Sequence, residues 1–139
     1  MNESSYAITT HIGSALPESY RNLIFSKWLK SLRYGNDLLK LVDAKAFYPY
    51  HHLLIDDLLG RESTRVRIAH LADDHDVVLG FAVSRGPILD YVYVNKDFRR
   101  IGIGRDLVGH GTVVYTHITK TGLLILGKKE TGWKFNPYT

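Results

Sequence analysis

The chain has 139 residues, of which 45% are hydrophobic and 23% are charged, with a formal net charge of +4 at pH 7. These values predict one globular domain over residues 1–139, and the mild positive charge suits an anionic cofactor as well as nucleic acid. The absence of cysteine excludes disulfides, thiolate nucleophiles and cysteine-ligated zinc. No segment resembles a signal peptide or an apolar membrane span of about 20 residues, so the default prediction is a cytoplasmic protein.

The first third of the chain predicts a strand followed by a helix. Residues 6–12 alternate weakly between apolar and polar side chains, as a β-strand does. From Glu18 to Arg33 the apolar side chains recur at helical spacing. The face that they form holds Tyr20, Ile24, Trp28 and Leu32. The basic side chains of this helix are Arg21, Lys27, Lys30 and Arg33. They are expected to form a solvated face, and the alternative is contact with an acidic substrate or a nucleic-acid backbone.

An aromatic and histidine cluster over residues 47–52 precedes a second helix, 53–59, which Gly60 is expected to close. The cluster predicts either a loop that faces a substrate or a packed aromatic corner. His51 and His52 are adjacent but have no third histidine or carboxylate at ligand spacing. The sequence therefore predicts no metal site.

Three β-strands follow in close succession, over residues 64–71, 77–85 and 88–94. The first alternates clearly, with Val66 and Ile68 on one face. Short polar or Gly-Pro turns separate the strands, so they predict an antiparallel meander. A strand over 112–118, a helix over 119–130 and a short strand over 133–138 complete the chain.

Residues 92–108 change from a strand into a glycine-rich basic loop and then into a helix start. Gly102 and Gly104 stand where the helix begins, so a ligand can approach the backbone closely. The first N–H groups of a helix have no partner within it and attract anions. Arg99, Arg100 and Arg105 add positive charge. The segment therefore predicts a phosphate-binding loop.

The spacing Arg99-x-x-Gly102-x-Gly104 resembles the pyrophosphate loop of the GCN5-related N-acetyltransferases, Arg/Gln-x-x-Gly-x-Gly/Ala, which holds acetyl-coenzyme A. Leu107 stands where a dinucleotide-binding loop would need its third glycine. The order of elements resembles that family along nearly the whole chain. The resemblance implies an α+β fold of three layers, in which a mixed, mainly antiparallel sheet of about six strands with splayed central strands carries helices on both faces.

The resemblance also implies a co-substrate site for acetyl-coenzyme A. In the family, the strand before the loop offers free main-chain groups to the pantetheine arm, and one of its N–H groups binds the thioester carbonyl. The positions that correspond here are Val92, Val94, Arg99, Arg100, Ile101, Gly102, Ile103, Gly104 and Arg105.

Asp90 is the candidate general base, because it lies on the strand that would carry the thioester. The alternative is a structural role, in which Asp90 shares a face with Ile88, Val92 and Val94 and pairs with Arg65 or Arg67. The family often has a tyrosine acid where this chain has Lys128. The substitutes are Tyr91, Tyr93, Tyr115 and His117, and the other alternative is that no dedicated acid exists.

The leading hypothesis is an acetyl-coenzyme A-dependent N-acetyltransferase that acts on a primary amine. The competing hypothesis is a binding module of the same fold that recognises nucleic acid or a protein without catalysis. A third hypothesis is an acyltransferase for a nucleic-acid-linked amine, with the basic helix as its substrate track. The family usually has one further strand after 133–138, so the sheet is expected to be one strand short or to be completed by a second subunit.

Overall fold

The computed structural model describes residues 5–99, 101–109, 111–112, 114–117, 119 and 133–139. Six strands form one sheet in chain order: β1 (Tyr6–Ile12), β2 (Arg65–Leu71), β3 (Asp74–Arg85), β4 (Ile88–Val94), β5 (Val114–Tyr115) and β6 (Lys134–Phe135). The described α-helices are α1 (Glu18–Tyr34) and α2 (Ala44–Gly60), between β1 and β2, and α3 (Ile103–Val108), between β4 and β5. Short 3-10 turns lie at Gly13–Ala15, Leu39–Leu41 and Lys96–Phe98.

β1, β2, β3 and β4 are antiparallel to one another in succession, while β4, β5 and β6 run parallel to one another. Short turns reverse the chain between β2, β3 and β4, whereas the crossover that carries α3 returns the chain from β4 to β5 in the same direction. The predicted mixed, mainly antiparallel six-stranded sheet is confirmed.

The two faces of the sheet pack against different helices. α1 and α2 cover one face with a largely aromatic core, in which Trp28, Phe47 and Phe81 are fully buried. α3 covers the other face through Ile103 and Leu107, which pack on small and aliphatic side chains of the strands. Complete burial of one such side chain contributes about 1.5–3 kcal/mol. The predicted three layers are present in the described part of the chain.

The predicted loop at residues 47–52 is wrong, because α2 runs continuously through this segment. Asp43 caps the helix by accepting a hydrogen bond from the Lys45 N–H. Pro49 lies inside the helix and removes one backbone donor. Phe47 is buried in the core, so tertiary packing outweighs the local preference of proline.

α3 begins at Ile103, between the two glycines at which the sequence predicts its start. A separate 3-10 turn, Lys96–Phe98, precedes it, and the Asn95 side chain caps that turn by accepting from the Asp97 N–H. The predicted helix over 119–130 lies outside the described residues, except for Thr119. Of the predicted strand over 112–118, only Val114–Tyr115 is paired in the described part of the chain.

The basic face of α1 is smaller than predicted. Arg33 is buried, and its guanidinium lies 5.2 Å from the Phe47 ring centroid and 5.4 Å from that of Tyr48. Arg21 forms an ion pair with Asp56 of α2. Since one cation is enclosed by aromatic rings and a second is paired, only part of the predicted positive charge faces solvent.

Candidate active site

β4 contains a β-bulge at Asp90. Tyr91 lies opposite Val83 on β3, and Leu89 lies opposite Ser84, so Asp90 has no partner residue on β3. The extra residue changes which side chains share a face, since Leu89 now packs in the same core cluster as Val92 and Val94. The predicted face of Ile88, Asp90, Val92 and Val94 is therefore wrong.

Asp90 is 1% exposed and forms a bidentate ion pair with Arg85 at the end of β3. The Arg85 Nε donates to Oδ2 at 2.7 Å, and Nη2 donates to Oδ1 at 2.8 Å. The hydrogen bond to Asp90 raises the pKa of the Arg85 guanidinium, against the effect of burial. The expected pairing with Arg65 or Arg67 is wrong, because both of these guanidinium groups donate to backbone carbonyls instead.

Thr116 and His117, just after β5, extend this polar cluster. The Thr116 hydroxyl donates to Asp90 Oδ1 at 2.8 Å and lies 2.9 Å from His117 Nδ1. An ionised carboxylate can only accept hydrogen bonds, so the single proton of the Thr116 hydroxyl is directed to Asp90. The hydroxyl oxygen can then only accept from His117, and Nδ1 must carry the proton that it donates to Thr116. This tautomer leaves the lone pair of His117 Nε2 available to accept a proton.

Burial lowers the pKa of His117 to about 4, although the Asp90 carboxylate acts in the opposite direction. The imidazole of His51 lowers it further, with its ring centroid 6.4 Å from that of His117. The ring of His117 also meets Trp28 edge to face, at 5.7 Å between centroids. His117 is consequently neutral at pH 7.

The three candidate tyrosines do not join this cluster. Tyr91 stacks on Trp28 at 4.8 Å, its hydroxyl lies 2.5 Å from Ser31 Oγ, and burial raises its pKa. Tyr93 packs against Phe81 in the core on the α1 and α2 side of the sheet. Tyr115 packs against Trp133 and Phe135. Each of these rings has a packing role in the described part of the chain.

In the described part of the chain, β5 pairs only with the first two residues of β4, and we call the edge of β4 beyond these pairs the gap. The described pairs between these strands end at Leu89 and Tyr115, followed by a hydrogen bond from the Thr116 N–H to the Leu89 carbonyl. On the other edge of β4, the Asn95 N–H donates to the Leu79 carbonyl of β3. Hydrogen-bonding direction alternates along an antiparallel strand, so the main-chain groups of Val92 and Val94 point toward the gap.

The predicted phosphate loop follows β4. Gly102 adopts a left-handed conformation, with φ of +91°, and is the N-cap residue of α3. A Cβ added there would have no neighbour within 4 Å, so the loop is open at this point. The first backbone bond of α3 runs from the Asp106 N–H to the Gly102 carbonyl. The N–H groups of Ile103, Gly104 and Arg105 precede it and have no partner within the helix.

Of the loop's arginines, Arg99 binds the main chain and Arg105 is exposed. Arg99 Nε donates to the Val94 carbonyl at 2.9 Å, which ties the loop to the end of β4. Ile101 and Arg105 are exposed. Arg100 lies outside the described residues.

Sequence reasoning missed Arg85 and Thr116. Both are defined by long-range contacts to Asp90, and no local motif marks either residue. It also missed a cavity of about 400 Å³ that these residues line, together with His117 and α2. Within the described ranges, no three His, Asp or Glu side chains are grouped as metal ligands, and none of the helices is long and apolar enough to span a membrane.

Comparison with known proteins identifies the fold. No protein-family model matches the sequence, and no curated protein does. A proposed acetyl transferase of Pyrococcus furiosus has a similar structure, with a TM-score of 0.53 at 18% identity over 73% of this chain and 70% of that chain. This likeness shows that the chain has the GCN5-related N-acetyltransferase fold.

Two further solved structures match less well. One is an acetyltransferase of the GNAT family from Staphylococcus aureus Mu50, with a TM-score of 0.46 and 18% identity over 73% of this chain and 61% of that chain. The other is a ribosomal-protein-alanine N-acetyltransferase from Brucella melitensis biovar Abortus 2308, with a TM-score of 0.47 and 19% identity over 73% and 67% of the two chains.

Proposed function

We propose that this chain is an acetyl-coenzyme A-dependent N-acetyltransferase that transfers an acetyl group to a primary amine by direct attack on the thioester. The observation that carries the proposal is the gap between β4 and β5. Main-chain groups of Val92 and Val94 point toward this gap, and β4 is followed by a glycine loop and by the first turn of α3, whose N–H groups have no partner within the helix. The fold supports the same conclusion.

The residues present fit the proposed co-substrate. The pantetheine arm contains two amides, which suit main-chain N–H and C=O groups on the edge of β4 beyond its described pairs with β5. Arg99 already binds the Val94 carbonyl, so the candidate groups are the Val94 N–H and the main-chain groups of Val92. The pyrophosphate suits the N–H groups at residues 103–105, and Gly102 leaves space beside them. Arg105 and Arg100 are the candidate positive charges, while Arg99 holds the loop against β4. When bound, acetyl-coenzyme A supplies the acetyl group as a thioester, so that transfer forms a carbon–nitrogen bond and releases a thiol.

His117 is the proposed proton acceptor. The attacking nitrogen must lose a proton as it bonds to the acetyl carbon, and the neutral Nε2 of His117 can take it. Asp90 has the weaker claim to this role, because Arg85 and Thr116 already bind its two carboxylate oxygens. We propose instead that Asp90 acts through Thr116, fixing the tautomer and orientation of His117. The proton then passes to the departing sulfur through solvent.

The test is calorimetric titration of acetyl-coenzyme A into the wild type and two glycine variants. Gly102→Glu places a negative charge and bulk beside the proposed pyrophosphate site, so it should abolish binding. Gly86→Glu is the matched control, because Gly86 also has a positive φ and open space around an added Cβ, but lies in the turn between β3 and β4. Both substitutions carry similar backbone strain.

The proposal expects micromolar binding by the wild type and by Gly86→Glu, and loss of at least tenfold in affinity for Gly102→Glu, about 1.4 kcal/mol. A folded wild type that does not bind acetyl-coenzyme A would falsify the enzyme assignment. That result would favour the binding-module hypothesis. Equal loss in both variants would place the effect in folding and leave the loop without a role in binding.

A further inference from the structure

The cavity beside Asp90 and His117 has the dimensions of a small-molecule site. Its volume of about 400 Å³ lies within the range of roughly 300–1,000 Å³ that is usual for ligand pockets. α2 forms one wall, and Pro137 and Thr139 lie on another side. The polar cluster at the bulge of β4 forms the floor, so anything bound in the cavity meets the proposed proton acceptor.

The α2 wall of the cavity is mainly apolar. Its apolar members are Tyr50, Leu53, Leu54 and Leu58, which recur at the spacing of one helix face, and Asp57 is its charged member. Tyr50 is 64% exposed and Leu53 is 70% exposed, although both line a concave surface. Apolar side chains at the mouth of a cavity gain from burial by an apolar ligand. The cavity therefore has a polar floor and an apolar wall.

The charges that line the cavity are balanced. Asp57 pairs with Arg61 at 2.6 Å, and Asp90 pairs with Arg85. His117 is neutral at pH 7, because burial lowers its pKa. Among the described lining residues, both carboxylates thus have an arginine partner. A ligand with one ammonium group becomes a neutral amide when that group is acetylated. A polycation would place further positive charges in the cavity, where they would have no anionic partner.

From this arrangement we infer that the acceptor is a small primary monoamine carried on an apolar or aromatic body, with its nitrogen at the Asp90 and His117 floor and its body against α2. The inference rests on the proposed acetyl transfer and adds the substrate class. The apolar wall also affects the ionisation of the bound amine. It disfavours the ammonium form, which increases the fraction of neutral amine that can attack the thioester.

The first test compares hexylamine with 1,6-diaminohexane as acceptors for acetyl-coenzyme A, by measuring the release of free thiol. The two amines have the same chain length and differ only in the second ammonium group. We expect kcat/KM to be at least about tenfold higher for hexylamine, since a second charge must be desolvated. A peptide with a free N-terminal alanine serves as the macromolecular alternative.

The second test places a charge on the α2 wall of the cavity. Leu53→Asp adds an unpaired carboxylate at the mouth of the cavity, so it should raise KM for hexylamine about tenfold or more and improve the use of 1,6-diaminohexane. Leu41→Asp is the matched control, because Leu41 is 77% exposed and does not line the cavity. It should leave both kcat/KM values unchanged.

Hexylamine as the better acceptor, together with a shift toward the diamine in Leu53→Asp only, supports the inference. The inference is overturned if the diamine or the peptide is the better acceptor in the wild type. It is also overturned if acetyl-coenzyme A binds but neither monoamine nor diamine is acetylated, an outcome that leaves the co-substrate site intact. Absence of acetyl-coenzyme A binding removes the proposed function and this inference together.

Discussion

The two parts of the sheet are built in different ways. β2 to β4 form a meander, and β1 pairs with β2, so that neighbouring strands in this part pair along most of their length. In the described part of the chain, β5 and β6 pair over two residues each, and each follows a long connection. The candidate site lies at the boundary, where β4 has a complete partner on one edge and an incomplete one on the other. A fully paired strand has no free main-chain groups, so the short described pairing with β5 is what supports β4 as the proposed ligand-binding strand.

Removal of a core side chain from the meander should have the largest effect. Phe81 on β3 is fully buried, and Phe81→Ala is expected to lower the free energy of unfolding by about 3–5 kcal/mol. Phe135 on β6 is 51% exposed, and Phe135→Ala is expected to lower it by less than about 1 kcal/mol. Urea denaturation of both variants measures the contrast. Similar losses would show that β6 contributes as much to stability as the meander does.

The sequence predicts the meander well because the signals there are local. The bounds of β1 and β4 agree with the predicted strands, and α1 extends only one residue beyond its predicted end. Alternation with period two and recurrence at helical spacing depend on the chain itself. The aromatic segment of α2 is the exception, since its helical state depends on the burial of Phe47 against other elements.

The site is less predictable, because it depends on contacts between distant residues. Asp90 and His117 are recognisable as candidates by residue type and position. The bulge that turns Asp90 away from its expected face depends on the register with β3, which no local pattern encodes. Arg85 was indistinguishable from Arg65 and Arg67 as a partner before the register was known. The glycine loop was predictable, since its spacing carries a resemblance.

The ion pair of Arg85 and Asp90 links β3 to β4 beside the boundary with β5, and its loss should have the next largest effect. Arg85→Leu leaves a buried carboxylate without its partner, which is expected to lower the free energy of unfolding by about 3 kcal/mol. Addition of Asp90→Asn removes the unpaired charge and should restore about half of the loss. Chemical denaturation of the single and double variants measures both effects.

Arg61→Leu is the matched control for this pair. Arg61 binds Asp57 on the rim of the same cavity, but both side chains are substantially exposed. Arg61→Leu should therefore lower the free energy of unfolding by less than about 1 kcal/mol. The role of the buried pair is contradicted if Arg85→Leu and Arg61→Leu are equally stable, or if Asp90→Asn adds to the loss of Arg85→Leu.

The smallest expected effect is the pH dependence that His117 contributes. Burial lowers the pKa of His117 to about 4 in the folded protein, while the unfolded chain titrates near the ordinary value of about 6.5. Between these values the unfolded state binds a proton that the folded state does not bind. The stability that neutral His117 allows is therefore complete above pH 6.5 and decreases as the pH falls toward 4.

His117→Gln removes this titration, so between pH 7 and pH 4 the free energy of unfolding should fall by roughly 2–3 kcal/mol more in the wild type than in the variant. Urea denaturation at intervals of one pH unit measures the difference and cancels the contributions of His11 and His51, which both proteins retain. His75→Gln is the control, because its side chain is 77% exposed and should follow the wild type. Parallel curves for the wild type and His117→Gln would show that the imidazole is not desolvated. The cluster of Asp90, Thr116 and His117 would then lie open to water, and the neutrality of His117 would no longer follow from its burial.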